Sequence, residues 1–323
     1  LGPFARPDPS AQPAAHRRVT ALGVSPDGRT VLAGNRDGVI KAWSAEDGRL
    51  LWTVRADPVE QLAVSPDGRR FATIESTIDP NDAVSLQLPD GFPSRTRVQL
   101  WDLADHQVVL STVVTDPDGN VPKGKMLTFS PDSRLLAVPF LGPSIVHVYQ
   151  VEQPRLLVAL QGDQIDSQFG NVAVTFSPDS RRLLVRADSG DAIIELDPRT
   201  GEPIGPGYPG AERGDYGTIA FSADARWLFS RTPLSLSAYD VSNRRLLFND
   251  LPLASNMGEG SMAVAPDGYL YAATDSGVAR LDIDPQHWED VACRLAGRSL
   301  TREEWDQLLP GRPYAPACAA APS

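Results

Sequence analysis

Short apolar runs alternate with polar turns along most of the chain. Thr20-Ala21-Leu22-Gly23-Val24 leads through Ser25-Pro26-Asp27-Gly28 to Thr30-Val31-Leu32-Ala33, and Asn35-Arg36-Asp37-Gly38 leads on to Val39-Ile40-Lys41-Ala42-Trp43. Glu46-Asp47-Gly48 then falls just before Arg49-Leu50-Leu51-Trp52-Thr53-Val54. Runs this short, bounded by Pro, Asp and Gly, read as strands rather than helices. Proline presets φ for a tight turn, and aspartate accepts hydrogen bonds from nearby backbone amides. The pattern predicts four antiparallel strands in one sheet. Such a sheet cannot bury both faces alone, so several must stack.

The first turn recurs. Val24-Ser25-Pro26-Asp27-Gly28 returns as Val64-Ser65-Pro66-Asp67-Gly68, Phe129-Ser130-Pro131-Asp132-Ser133 and Phe176-Ser177-Pro178-Asp179-Ser180. Looser copies are Phe221-Ser222-Ala223-Asp224-Ala225 and Val264-Ala265-Pro266-Asp267-Gly268. Counted from Ser25, the spacings are 40, 65, 47, 45 and 43 residues. About 40–45 residues is the length of one propeller blade. Six copies predict six blades over residues 18–283, with a seventh left open by the long second interval. That excess reads better as an insertion, residues 75–96, between the second and third strands of blade two. Asp79-Pro80-Asn81-Asp82 and Leu88-Pro89-Asp90-Gly91-Phe92-Pro93 within it are loop compositions.

These residues resemble the WD-repeat family, which implies an all-β, WD-repeat-like β-propeller. Trp101-Asp102 carries the family's Trp-Asp pair in full; Trp43-Ser44, Tyr149-Gln150, Leu196-Asp197, Tyr239-Asp240 and Leu281-Asp282 carry it in part. The family's Gly-His pair has no counterpart. Its buried Asp–His–Ser–Trp hydrogen-bond network is therefore expected to be missing, which leaves more of the stability to packing between blades.

The ends differ in kind. Residues 1–17, with Pro3, Pro7, Pro9 and Pro13, read as an extended linker. In the tail, residues 284–323, Asp284-Pro285 is a helix start, and Trp288, Val291, Ala292 and Leu295 share one helical face. Gly297 ends that helix. Thr301 and Glu304 form a capping box for a second helix, which Pro310-Gly311 stops. This two-helix tail is expected to pack on the last blade and cover an open strand edge. The tail holds both cysteines of the chain, Cys293 and Cys318. Two readings stand: unrelated small thiols, or a disulfide tying the end of the tail to its first helix. The disulfide is the expectation adopted here. It implies an oxidising compartment, and without it the module would be cytoplasmic.

The tail carries a second resemblance. Trp288, Ala292-Cys293, Ala296-Gly297-Arg298, Leu300-Thr301, Glu304-Trp305, Gly311, Tyr314 and Cys318 are similar to the tail that closes the propeller region of large actinobacterial signal-transduction ATPase and transcriptional-regulator proteins. The resemblance implies a C-terminal sensor or partner-binding module of a bacterial regulator, one whose full-length form is often membrane-tethered.

Charge and chemistry narrow the function. The net charge is −11, which repels phosphate backbones and argues against a nucleic-acid partner. No apolar stretch approaches the length of a membrane-spanning helix, so no membrane insertion is expected within the chain. There is no phosphate loop of the Gly-x-x-x-x-Gly-Lys-Ser/Thr type, no His-Glu-x-x-His and no Gly-x-Ser-x-Gly. His16, His106, His147 and His287 have no metal-ligand spacing. No catalytic residue, metal ligand or cofactor is therefore assigned. His147, between Val146 and Val148, reads as a structural histidine, and the repeated turn aspartates read as turn formers.

In the resembled family, partners usually bind the rim that carries the loops between second and third strands and the links between blades. That implies a contact surface of Arg36, Asp79, Asp82, Phe92, Arg95, Phe140, Asp163, Gln164, Phe169, Tyr208, Tyr216 and Met257, for a protein or small-molecule ligand of a monomeric module. Aromatic and arginine residues there are the kinds that anchor interfaces. The function expected is non-catalytic recognition, as sensor or scaffold. The alternative is a propeller hydrolase or lactonase with a metal in its central channel.

Overall fold

The computed structural model describes residues 19–77, 95–114, 123–124, 126–141, 145–161, 172–187, 192–210, 217–232, 235–253, 262–265, 267–274, 277–315 and 318. Six successive antiparallel sheets make a six-bladed all-β propeller. Blade one is β1 (Val19–Val24), β2 (Thr30–Asn35), β3 (Val39–Ser44) and β4 (Leu50–Arg55). Blade two is β5 (Val59–Val64), β6 (Arg70–Thr77), β7 (Arg95–Asp102) and β8 (Val108–Val114). Blade three is β10 (Thr128–Phe129), β11 (Leu135–Leu141), β12 (Ile145–Gln150) and β13 (Arg155–Leu160), with β9 (Lys123–Gly124) added beside β11. Blade four is β14 (Val172–Phe176), β15 (Leu183–Ala187), β16 (Ala192–Leu196) and a short β17 (Tyr208–Pro209). Blade five is β18 (Thr218–Phe221), β19 (Trp227–Arg231), β20 (Ser235–Asp240) and β21 (Arg245–Pro252). Among the described residues blade six has three strands, β22 (Met262–Val264), β23 (Tyr269–Thr274) and β24 (Gly277–Asp282).

The flanking strands reach further into the expected insertion, residues 75–96, than its bounds allow, and residues 78–94 lie outside the described residues. β6 and β7 stay in register out to Thr77 opposite Arg95, so residues 75–77 and 95–96 are strand. Glu75 and Thr96 are buried there, which explains why the strands continue past the expected break.

The repeated turn works the same way in blades one to five. In blade one the Ser25 hydroxyl donates to Asp27 Oδ1 at 2.5 Å and accepts from Thr30 N at 2.9 Å, while Arg29 N donates to the same carboxylate oxygen. The Ser25 and Arg29 bonds to the charged form hold the Asp27 carboxyl below its usual range. The last turn position has positive φ: 70° at Gly28 and 69° at Gly68, but also 61° at Ser133 and Ser180. A side chain there is strained, and the serines offset the strain by reaching the neighbouring blade. Ser133 Oγ accepts from Asp67 N at 2.9 Å, and Ser180 Oγ accepts from Asp132 N at 3.0 Å. Ser133→Ala removes one such stitch and should lower unfolding stability by about 1 kcal/mol. Ser133→Gly should lose less, because it also relieves the backbone. Equal denaturation midpoints for wild type and Ser133→Ala would contradict the stitch.

Blades pack face to face through apolar clusters. Leu62 of β5 packs on Leu32, Ile40 and Ala42 of blade one, with Phe71 and Trp101 beside it. The matching positions Leu127, Val174, Ile219 and Met262 each pack on the blade before. Blade one is the exception. Leu22 is 64% exposed where Leu62 is 7%, and Val19 and Val24 are exposed beside it. Successive blades touch through β1 and β5, β11 and β14, β14 and β18, and β18 and β22, but no comparable packing joins blade six to β1 among the described residues. The composition of blade six supplies a reason. Tyr271 stands where the other blades place buried Leu32, Ala72, Ala137, Leu184 and Phe229. Its hydroxyl donates to Asp267 at 3.0 Å, and Arg280 lies 4.3 Å over the Tyr269 ring. That face carries paired polar groups rather than a purely apolar surface.

The tail folds as two helices, α1 (Pro285–Ala296) and α2 (Arg302–Leu308). The capping box at Thr301 and Glu304 is present. Arg298 and Thr301 N both donate to the Glu304 carboxylate, which lowers its pKa to about 2. Cys293 and Cys318 form a disulfide with Cα atoms 5.3 Å apart, within the usual range. Ser299 reinforces it by donating to Cys318 O and accepting from Cys318 N. Among the described residues, the expected packing on the last blade is confined to the first turn of α1. α1 is held at its first turn, where Trp288 Nε1 donates to Asp282 O and His287 pairs with Asp282. Beyond that turn Val291 and Leu295 are exposed, and so is Val278 on β24. The bridge and the Trp305–Tyr314 ring contact, 5.7 Å between centroids, tie the tail to itself instead.

Candidate interaction surface

Where blades one and two meet, three connections gather at one rim. The turn at residues 35–38 is shaped by Asn35, whose Oδ1 accepts from Asp37 N and Val39 N. Gly38, at φ 70°, then lets the β4–β5 link close in: Ala56 N donates to Gly38 O, and a Cβ on Gly38 would sit 2.3 Å from Ala56 O. Asp57 in that link pairs with Arg97 at 2.8 Å and Arg95 at 3.7 Å, at the base of the blade-two insertion. Arg36 pairs with Glu60 at 3.4 Å across the same junction. The Arg36 and Arg95 side chains are exposed, and such pairs contribute little to stability, so these two arginines remain available to a partner.

Beneath the rim lies a buried polar chain. Trp101 Nε1 donates to Thr73 Oγ1 at 3.1 Å, the Thr73 hydroxyl donates to Glu75 at 2.7 Å, and Asp57 N donates to Glu75 at 3.2 Å. The Gln99 amide, with its nitrogen toward the carboxylate, donates to Glu75 at 2.7 Å and accepts from Ser111 at 3.1 Å. Burial raises the Glu75 pKa, and these donors pull against it. The expected loss of the family's His-containing network is thus offset in blade two by a shorter Trp–Thr–Glu chain. The chain fixes Asp57, and through it Arg95 and Arg97, on a rigid base.

Of the residues assigned to the contact surface, Arg36 and Arg95 lie on this rim. Phe140 and Tyr208 do not; both are fully buried. They sit on strands rather than loops and point inward. Phe140 packs between blades two and three, its ring 5.3 Å from His147, and Tyr208 packs on Tyr239 between blades four and five. Asp79, Asp82, Phe92, Asp163, Gln164, Phe169, Tyr216 and Met257 lie outside the described residues. Sequence reasoning missed Asp57, Glu60, Glu75 and Arg97. The signal for Arg97 was present: Arg95, Arg97 and Gln99 alternate with Thr96, Val98 and Leu100, which marks one polar strand face. His147 is buried as expected of a structural histidine, its Nδ1 2.9 Å from the Tyr149 hydroxyl. Among the described residues no group of three His, Cys, Asp or Glu side chains could hold a metal ion, and no helix is long and apolar enough to cross a membrane.

Six successive blades, four of them with the Ser-Pro-Asp turn, make a WD-repeat-like β-propeller fold. Residues 9–44 match the family model described as WD domain, G-beta repeat. The chain is also similar to eukaryotic translation initiation factor 3 subunit I of Lodderomyces elongisporus, 23% identical over 188 residues, or 57% of this chain and 51% of that protein. The Candida albicans protein of the same name is 22% identical over 191 residues, 55% of this chain and 51% of that protein. The chain spans about half the length of the curated relatives it matches.

Proposed function

We propose that this chain is a non-catalytic protein-recognition module whose partner seats on the rim of blades one and two. The observation that carries the reading is the pairing of Arg95 and Arg97 with Asp57 on a buried hydrogen-bonded base, with the Arg36–Glu60 pair across the same junction, beside the blade-two insertion. Arginine on a preorganised base is a common interface anchor. Both relatives are, by name, subunits of a larger factor, which supports a role in assembly. The tail supports a narrower reading, that of a C-terminal module of a bacterial regulator working outside the cytoplasm. Cys293 and Cys318, two residues of that tail resemblance, are joined here, and such bonds persist in oxidising compartments.

The test uses two variants. One replaces residues 78–94 by Asn-Gly, a two-residue hairpin turn; the other combines Arg36→Ala with Arg95→Ala. Each should retain the wild-type melting temperature closely and capture the native partner at least about tenfold more weakly, about 1.4 kcal/mol. Undiminished capture by both would contradict the rim assignment. For the compartment, denatured and unreduced protein from native cells should show no free thiols; two would remove the support for an extracytoplasmic site.

A further inference from the structure

At the opposite end of the blades from this rim, a second feature stands apart. The seam between blades three and four holds a cavity of about 430 Å³ lined by Arg134, Arg155, Arg199, Glu152, Gln150, Leu135 and Leu157. The arginines come from three places: the β10–β11 turn, the start of β13 and the β16–β17 turn. None of them makes an ion pair among the described residues. Arg155 Nε donates to the neutral Gln150 Oε1 at 3.0 Å, while the Arg134 and Arg199 side chains are exposed.

The repeat shows what is unusual here. Asp102, Asp240 and Asp282 end the third strands of their blades, each opposite the start of the second strand, and Asp197 directly follows β16. In blade two that aspartate takes the guanidinium of Arg70. Blade three has Gln150 opposite Leu135 instead. A carboxylate is thus absent at the one blade position around which three arginines converge. Three arginines and Glu152 leave the lining with two net positive charges, in a chain whose net charge is −11. Leu135 and Leu157 add an apolar wall. The volume is that of a small-molecule site, and guanidinium groups pair with oxyanions in forked geometry.

We propose that this cavity binds a small organic dianion, its charged groups held by Arg134, Arg155 and Arg199 and its carbon body against Leu135 and Leu157. The site is independent of the partner rim, so either assignment can fail without the other.

Titration calorimetry of the whole chain at low salt tests it, with succinate and glycerol 3-phosphate as probes. One probe is a dicarboxylate and the other a phosphate monoester, so the tighter of the two reports which oxyanion the site prefers. At least one should bind wild type with a dissociation constant below about 1 mM. Arg134→Gln combined with Arg199→Gln should weaken it by at least about tenfold. Gln150→Asp, which restores the carboxylate found at this position in blades two, four, five and six and removes no arginine, should weaken it comparably. Arg69→Gln, at the matching turn of blade two, should change nothing. Failure of both probes to bind wild type overturns the proposal, as does affinity that Gln150→Asp and the double variant leave unchanged in proteins with the wild-type melting temperature.

Discussion

Glu195→Ala should destabilise the propeller by about 3 kcal/mol, a large effect for one surface-remote residue. Glu195 is fully buried in β16 and takes one arginine from its own blade and one from the next: Arg182 at 2.9 Å and Arg244 at 2.6 Å. The Tyr208 phenol lies beside it, its pKa pushed up to about 12 by burial and then by the Glu195 charge. Both guanidinium groups are partly exposed, so on loss of the carboxylate they can turn to water, which keeps the cost below that of a wholly buried ion. The carboxylate spans the seam between blades four and five, and alanine leaves both a cavity and a broken link. A double-mutant cycle with Arg244→Ala separates the two: coupling of at least about 1 kcal/mol is expected between the partners. A Glu195→Ala loss under about 1 kcal/mol, or additive single effects, would show that the seam does not depend on this pair.

His147 should make stability fall with acid well before the carboxylates do. Burial holds its pKa down at about 4 against 6.5 in the unfolded chain. Between those values the unfolded chain binds more protons, so stability is full above about 6.5, drains as pH falls toward 4, and levels off below. The span corresponds to about 3 kcal/mol as an upper figure. The aspartates held low by hydrogen bonds, such as Asp27, Asp179 and Asp240, lose their contribution only at lower pH, as the pH falls from 3.8 through their depressed values. Glu75, raised by burial, tilts the profile the other way and is common to both proteins compared. Unfolding free energies of wild type and His147→Gln should therefore converge on acidification from pH 7 to 4. Parallel profiles would mean that the imidazole is hydrated or charged in the folded state.

The legible parts of this protein are those whose physics is local. Each Ser-Pro-Asp turn closes on its own backbone, so the repeat could be counted from residue types alone, and the capping box at Thr301 is equally short-range. What escaped the sequence depends on neighbours. Ser133 looks like a weak copy of Gly28 until Asp67 of the adjacent blade is seen donating to it. Glu75 reads as the start of a polar insertion, yet Thr73, Asp57 and Gln99 converge on it and make it core. Phe140 and Tyr208 sit close enough to turns to resemble exposed anchors, and only strand pairing with β12 and β16 turns them inward. The helical face of Trp288, Val291 and Leu295 correctly predicted α1 but not its surroundings, because amphipathic spacing says which face is apolar and not what covers it.

The central claim is recognition through the rim of blades one and two, and site-specific photo-crosslinking in the native cells tests it most directly. A photoreactive residue is placed at Arg36 on the rim or, as the comparison, at Val109 on the exposed outer strand β8. The account predicts a discrete adduct with a second protein from position 36 and none from position 109. Adducts from position 109 alone, or the same adducts from both, would contradict it.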